Sequence, residues 1–232
     1  LWDDDDAANL SVMCDRIHDF GSLAGAELWH GGFQSKNSES RHVRIGPLQG
    51  PSDLYVGNYA RYADAEDIVM IQGWYVDAAI RARQAGFDVV YVYVAHNELP
   101  TQFLSPFFNH RHDQYGGSFE NRTRLTREVV AAVRSVWPAD RALFVRLSAT
   151  DWVDGGWDPE QTVALARQLA ADGVDLIDCS SGGTLERLSP MDSARAKTYG
   201  YQVPYAERIR KEAGIKTMAV GHIVHADQAE AI

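Results

Sequence analysis

The stretch Asp88-Val89-Val90-Tyr91-Val92-Tyr93-Val94-Ala95-His96 carries no charge between Val89 and Ala95 and ends on a Tyr and a His three residues apart. Its β-branched and aromatic run is the pattern of a strand covered on both faces, as in a parallel sheet. Four further runs read the same way: Leu23–Trp29, Ala142–Ser148, Val174–Ser180 and Lys216–Gly221. Amphipathic stretches lie between them. Ala65–Gln84 places Ile68, Ile71, Tyr75, Ala78, Ala79 and Ala82 at helical spacing and is stopped by Gly86. Phe119–Val136, Pro159–Ala171, Tyr205–Ala213 and the start of a helix at Ala226–Ile232 follow.

Strand and helix therefore alternate, which implies βαβ units with right-handed crossovers. A doubly wound sheet and a (β/α)8 barrel compete for this α/β pattern. No G-x-G-x-x-G follows a strand, which weakens the first. Five visible strands fall short of the eight a closed barrel needs. The stretches Gly31–Ala63 and Asn97–Ser118 are long, irregular and placed directly after strands. In a barrel they are loops of the catalytic face.

Composition narrows the function. The chain has 232 residues, 45% hydrophobic and 23% charged, and is read as a single domain over 1–232. Its 22 basic against 32 acidic residues give a formal net charge of −10, so no basic field is present for a nucleic-acid backbone. No apolar run approaches the roughly 20 residues of a membrane span. Cys14 and Cys179 stand far apart, and neither cysteines nor histidines show metal-ligand spacing. The start at Leu1 has no initiator Met and no signal-peptide pattern. A cytoplasmic piece of a longer chain, in a homo-oligomer, is expected.

Tyr93 and His96 are the sharpest candidates for chemistry. A neutral imidazole offers one donor and one acceptor, and a phenol does either. The pair can hold a polar substrate or move a proton; a capping His beside a buried Tyr is the alternative. After it, Arg111, Asp113, Glu120, Asn121 and Arg122 read as a charge network that locks the loop, with Ser118 as helix cap. Trp152 and Trp157 can wall a cationic substrate or simply pack.

The segment from Ala95-His96 to Glu120-Asn121-Arg122 resembles the long signature of the old yellow enzyme superfamily of FMN-dependent barrel oxidoreductases. The first half is most similar to the trimethylamine, dimethylamine and histamine dehydrogenase branch, through Ala24-Gly25-Ala26-Glu27-Leu28-Trp29-His30-Gly31-Gly32, Asn37–Arg41 and Tyr75 to His96. The second half is similar to bacterial ene-reductases, through Arg146–Trp152, Gly155-Gly156-Trp157, Asp178–Gly183 and Gly200–Tyr205. Ene-reductases often carry His-x-x-His where this chain has Tyr93 and His96. The resemblance makes the five strands the third to seventh of a barrel, with both ends lying outside this chain.

Roles carry over by position. The resemblance puts Glu27 on the flavin pyrimidine edge, Arg146 beside flavin N1 and the Gly221 backbone at the FMN phosphate. Internal ion pairs are the alternative for Glu27 and Arg146. Tyr93 and His96 match the amine-branch active-site pair, and Asp192 is the candidate third member. A 4Fe-4S cluster of the amine branch would lie after Ile232. The resemblance implies hydride transfer from a secondary or tertiary amine to the flavin, with an electron-transfer flavoprotein as acceptor. The alternatives are ene-reduction with NAD(P)H as donor, and a barrel piece without flavin.

Overall fold

The computed structural model describes residues 1, 3–35, 42–51, 59–183 and 198–232. Five parallel strands form its main sheet: β1 (Gly25–Leu28), β5 (Val89–Val94), β6 (Ala142–Ser148), β7 (Leu176–Ser180) and β8 (Lys216–Ala219). All five predicted runs are strands, with β1, β5, β7 and β8 trimmed at their ends. Their order in the sheet is their order in the chain, β1-β5-β6-β7-β8. A doubly wound sheet reverses its order at a switch point; this one never does, as a barrel wall requires.

Helices α2 (Ala65–Gln84), α4 (Phe119–Val136) and α5 (Pro159–Ala171) begin and end where the sequence places them. Each starts at a side-chain cap: Asp64, Ser118 and Asp158 accept from the backbone N–H of Asp67, Asn121 and Gln161. Helix α6 (Val203–Ala213) starts two residues earlier than expected, with Pro204 in its first turn, and α7 covers Ala226–Glu230. Both stretches read as irregular contain regular structure. A small sheet of β2 (Arg44–Gly46), β3 (Gly50–Pro51) and β4 (Tyr59–Tyr62) lies after β1, and α3 (Leu99–Leu104) follows β5. Helix α1 (Asp4–Asp19), held by a reciprocal Asp3–Asp6 capping box, is a further addition.

The core lies between the sheet and its helices. Val90, Val92, Val94, Leu143, Val145, Leu147 and Ile177 are fully buried, as are Leu125, Val129, Val133, Leu165 and Leu169 on the helices. Side chains alternate along a strand, so the intervening residues Tyr91, Tyr93, Phe144 and Arg146 point to the opposite face, where they are only half-buried. That face is the barrel interior.

The signature loop is locked much as its charges suggest. Arg111 makes a two-pronged pair with Asp113 at 3.0 and 2.5 Å and donates to the Ala63 carbonyl. Arg122 donates to the carbonyls of Gly117 and Leu104 and to Gln161. Asn121 donates to the carbonyl of Gly116. Glu120 is exposed at the helix start, hydrogen-bonded with Ser118 and within reach of the Arg122 charge.

Candidate active site

Four non-glycine residues among those described adopt positive φ: His96 (51°), Asn97 (64°), Trp152 (59°) and His222 (54°). All four lie in segments leaving the C-terminal ends of β5, β6 and β8. Such backbone costs on the order of 1 kcal/mol or more per residue and gathers where a site over-determines it. At His96 the cause is visible. Its backbone N–H donates to Ser148 Oγ (3.1 Å), whose hydroxyl donates to the Gly182 carbonyl (2.9 Å). Gly183 packs so closely that a Cβ there would lie 2.8 Å from His96 Cα.

This turn brings Tyr93 and His96 together. The phenol oxygen lies 2.5 Å from His96 Nδ1, and His96 Nε2 lies 2.6 Å from Ser180 Oγ on the next strand but one. Burial, reinforced by the nearby positive Arg146, holds the imidazole below its ordinary pKa. Burial raises the Tyr93 phenol; Arg146 opposes this without cancelling it. Both groups are therefore neutral near pH 7.

Beneath the pair, Arg146 lies among three neighbours. Its Nη1 donates to Glu27 Oε1 at 2.8 Å, its Nε lies 3.6 Å from Asp178 Oδ2, and its guanidinium carbon stands 5.3 Å from the centre of the Tyr93 ring. Burial works against the Arg146 charge, but the Glu27 hydrogen bond and Asp178 outweigh it. Burial raises the Asp178 carboxyl despite Arg146. The ion-pair alternative for Glu27 and Arg146 is thus realised on the interior face, with Glu27 more open to solvent than an interior carboxylate was expected to be. Arg146 Nε and Asp178 Oδ1 are buried with no hydrogen-bond partner. A donor and an acceptor left unmade side by side are costly.

Gly221 has φ +103°, and a Cβ there would meet Gln202 Nε2 and Tyr201 Cε1 at 2.7 Å each. Only glycine fits that approach. Trp157 is buried and donates from Nε1 to Thr162, a packing role. Trp152 stays at the mouth, edge-on to Tyr201. Asp192 lies outside the described residues.

Four participants carried no assigned role in the sequence reading. Asp178, Ser180 and Gln202 act through contacts to distant residues that no local pattern announces. Glu98, two residues after His96, holds the N-cap position of α3 without capping it. Its Oε2 is buried and unpartnered, and burial pushes its carboxyl up to about 7.

The sequence profile of the NADH:flavin oxidoreductase / NADH oxidase family matches residues 1–232. The chain belongs to this family. Among its relatives, the NADPH dehydrogenase of Halalkalibacterium halodurans is 39% identical over 235 residues, covering all of this chain and 65% of that protein. The chain thus spans about two thirds of the length of the curated relatives it matches. Histamine dehydrogenase of Rhizobium sp. 4-9 superposes with a TM-score of 0.85 at 31% identity, over 98% of this chain and 33% of that one. Morphinone reductase gives a TM-score of 0.78 at 27% identity, over 99% of this chain and 64% of that one. With the strand order, these likenesses make the fold part of a (β/α)8 barrel of the old yellow enzyme superfamily. Among the described residues, no helix is long and apolar enough to cross a membrane, and no cluster of three metal-ligating side chains occurs.

Proposed function

We propose that the protein is an FMN-dependent oxidoreductase that oxidises a secondary or tertiary amine. The residues present suit the cofactor. The pyrimidine edge of an isoalloxazine alternates acceptors with an N–H donor, and the interior face offers the unpartnered Arg146 Nε beside the carboxylates of Glu27 and Asp178. Arg146 would hold the N1 and C2 carbonyl edge, Glu27 the pyrimidine N–H, and the Gly221 backbone the phosphate. Bound FMN supplies a two-electron acceptor, whose negative charge on reduction a fixed guanidinium favours.

One observation carries the choice of substrate. The Tyr93 hydroxyl lies 2.5 Å from His96 Nδ1; with its proton donated there, the pair offers a ligand the phenol's lone pairs. An acceptor at the mouth suits a ligand that arrives with an N–H, as an ammonium does. The ammonium proton passes to Tyr93 Oη while the phenol proton passes to His96 Nδ1. This leaves the neutral amine, whose lone pair assists loss of hydride from the adjacent carbon. Turnover should rise with pH through an ionisation below the ordinary imidazole value, and His96→Ala should abolish that step.

The NADPH dehydrogenase relatives and the ene-reductase-like second half favour a second reading, reduction of an activated C=C bond at the expense of NADPH. There the pair would have to turn donors toward a carbonyl oxygen. Anaerobic mixing of the purified flavoprotein with N-methylated amines, and separately with NADPH followed by a cyclic enone, decides between them. Bleaching of the yellow chromophore by amine alone supports the first; bleaching by NADPH alone, with reoxidation by the enone, overturns it.

A further inference from the structure

The direction of the protons in the Tyr93–His96 pair is set elsewhere, in a chain of hydrogen bonds that ends on backbone. Gln202 is buried between β7 and the segment after β8. Its Nε2 lies 3.2 Å from the carbonyl of Val220. A carbonyl only accepts, so this end of the amide must be the NH2. The other end is therefore the oxygen, and it faces two hydroxyls, Ser181 Oγ at 2.8 Å and Ser180 Oγ at 3.3 Å. An amide oxygen has two lone pairs and no proton, so each serine that bonds it donates, Ser181 closely and Ser180 at longer range. Ser180 has then spent its only proton, and toward His96 Nε2 it can only accept.

We infer that Gln202 is a positioning residue that fixes the His96 tautomer: it holds the proton on Nε2 and leaves Nδ1 as the acceptor facing Tyr93. The sequence runs Tyr93 O–H to His96 Nδ1, His96 Nε2–H to Ser180 Oγ, Ser180 O–H to Gln202 Oε1, and Gln202 Nε2–H to the Val220 carbonyl. Every link has one polarity once the last is fixed. Gln202 stands at the N-cap of α6 but makes no cap bond with its side chain, which is turned inward instead. Without Gln202, Ser180 is free to rotate and donate to Nε2. The imidazole proton would then move to Nδ1, and the base that accepts the Tyr93 proton would be lost.

The inference deepens the amine reading and rests on it only for its kinetic consequence; the tautomer itself is read without any substrate. Long-range proton–nitrogen NMR on protein labelled at histidine distinguishes a protonated Nε2 from a protonated Nδ1 at His96. The intact protein should show the Nε2–H form at neutral pH. Gln202→Met, which keeps the volume and removes both polar ends, should shift it toward Nδ1–H. With amine substrate it should lower kcat by about a hundredfold, on the scale of a lost general base. Ser181→Ala leaves Ser180 donating to Gln202 and should keep the tautomer. If Gln202→Met does not fold, Ser180→Ala should still remove the exclusive Nε2–H signal. An Nδ1–H form in the intact protein, or an unchanged Nε2–H form in folded Gln202→Met or Ser180→Ala, overturns the inference. Correct tautomers with no amine turnover would leave it standing and remove the amine reading instead.

Discussion

The two faces of one sheet show how little separates folding from chemistry in this molecule. Along β5, Val90, Val92 and Val94 meet the helices and are fully buried, while Tyr91 and Tyr93, one residue away, stand half-buried on the interior face. On β6 the same alternation sets Leu143, Val145 and Leu147 against Phe144 and Arg146. Hydrophobic burial of about 1.5–3 kcal/mol per large side chain accumulates on the first face. On the second, an arginine, two carboxylates, a phenol and an imidazole are held near one another, with buried polar atoms left unmatched. The helix face supplies the rigidity that lets the interior face keep an arrangement it would not choose alone.

Substitutions on the two faces and beyond them should separate these roles, from the largest expected change in stability to the smallest. Leu147→Ala, on the helix face, should cost about 3 kcal/mol in urea unfolding, with flavin affinity unchanged in the folded fraction. A loss under 1 kcal/mol would mean that the core does not depend on that face. Glu98→Gln comes next, by way of pH. The folded carboxyl titrates near 7 against 4.5 for an ordinary glutamate. The folded state therefore binds its proton more tightly, and stability falls as pH rises through that window. Replacing it should make the protein about 2 kcal/mol more stable than the parent at pH 8, after discounting for partial exposure, and no more stable at pH 4. Parallel stability profiles for the two proteins would remove the unmet carboxyl from the account.

Arg146→Met tests the interior face. Stability should fall by about 1–2 kcal/mol, because the pair with Glu27 is partly open to solvent but Asp178 is left buried without its cation. FMN affinity, read by fluorescence titration, should fall tenfold to a hundredfold, the scale of one lost hydrogen bond to a charged group. Lost stability with unchanged FMN affinity would make Arg146 a structural residue. Arg208→Ala, outside both faces, gives the baseline. Its bonds to Glu160 (2.9 Å) and Glu212 (2.8 Å) lie at the surface, and thermal unfolding should register less than about 0.5 kcal/mol.

What could be read from sequence follows the same division. Helices α2, α4 and α5 were legible to the residue from apolar spacing, with the Ser118 cap opening α4 and Gly86 stopping α2; the caps Asp64 and Asp158 emerge only in the structure. The strands were legible because apolar runs are continuous where helices cover them. Helix α1 was not, since it is rich in acidic residues and buries only Ala7 and Cys14. The strands of the small sheet are two to four residues long, too short for periodicity to speak. At the site, Glu27, Arg146, Tyr93 and His96 stood out as polar groups in or beside apolar strands. Ser180 and Gln202 did not, because a serine or glutamine has meaning only through a partner far along the chain.

The five-stranded ladder has a further consequence. Among the described residues β1 pairs only with β5, and β8 only with β7, so each outer strand turns a row of backbone N–H and C=O groups outward. Such margins are templates that another strand can join. Both margins run in the same direction, so a strand completing either must also run parallel to it. A strand that completes the barrel at either rim therefore arrives in the same sense as the five already there, as a closed (β/α)8 wall requires.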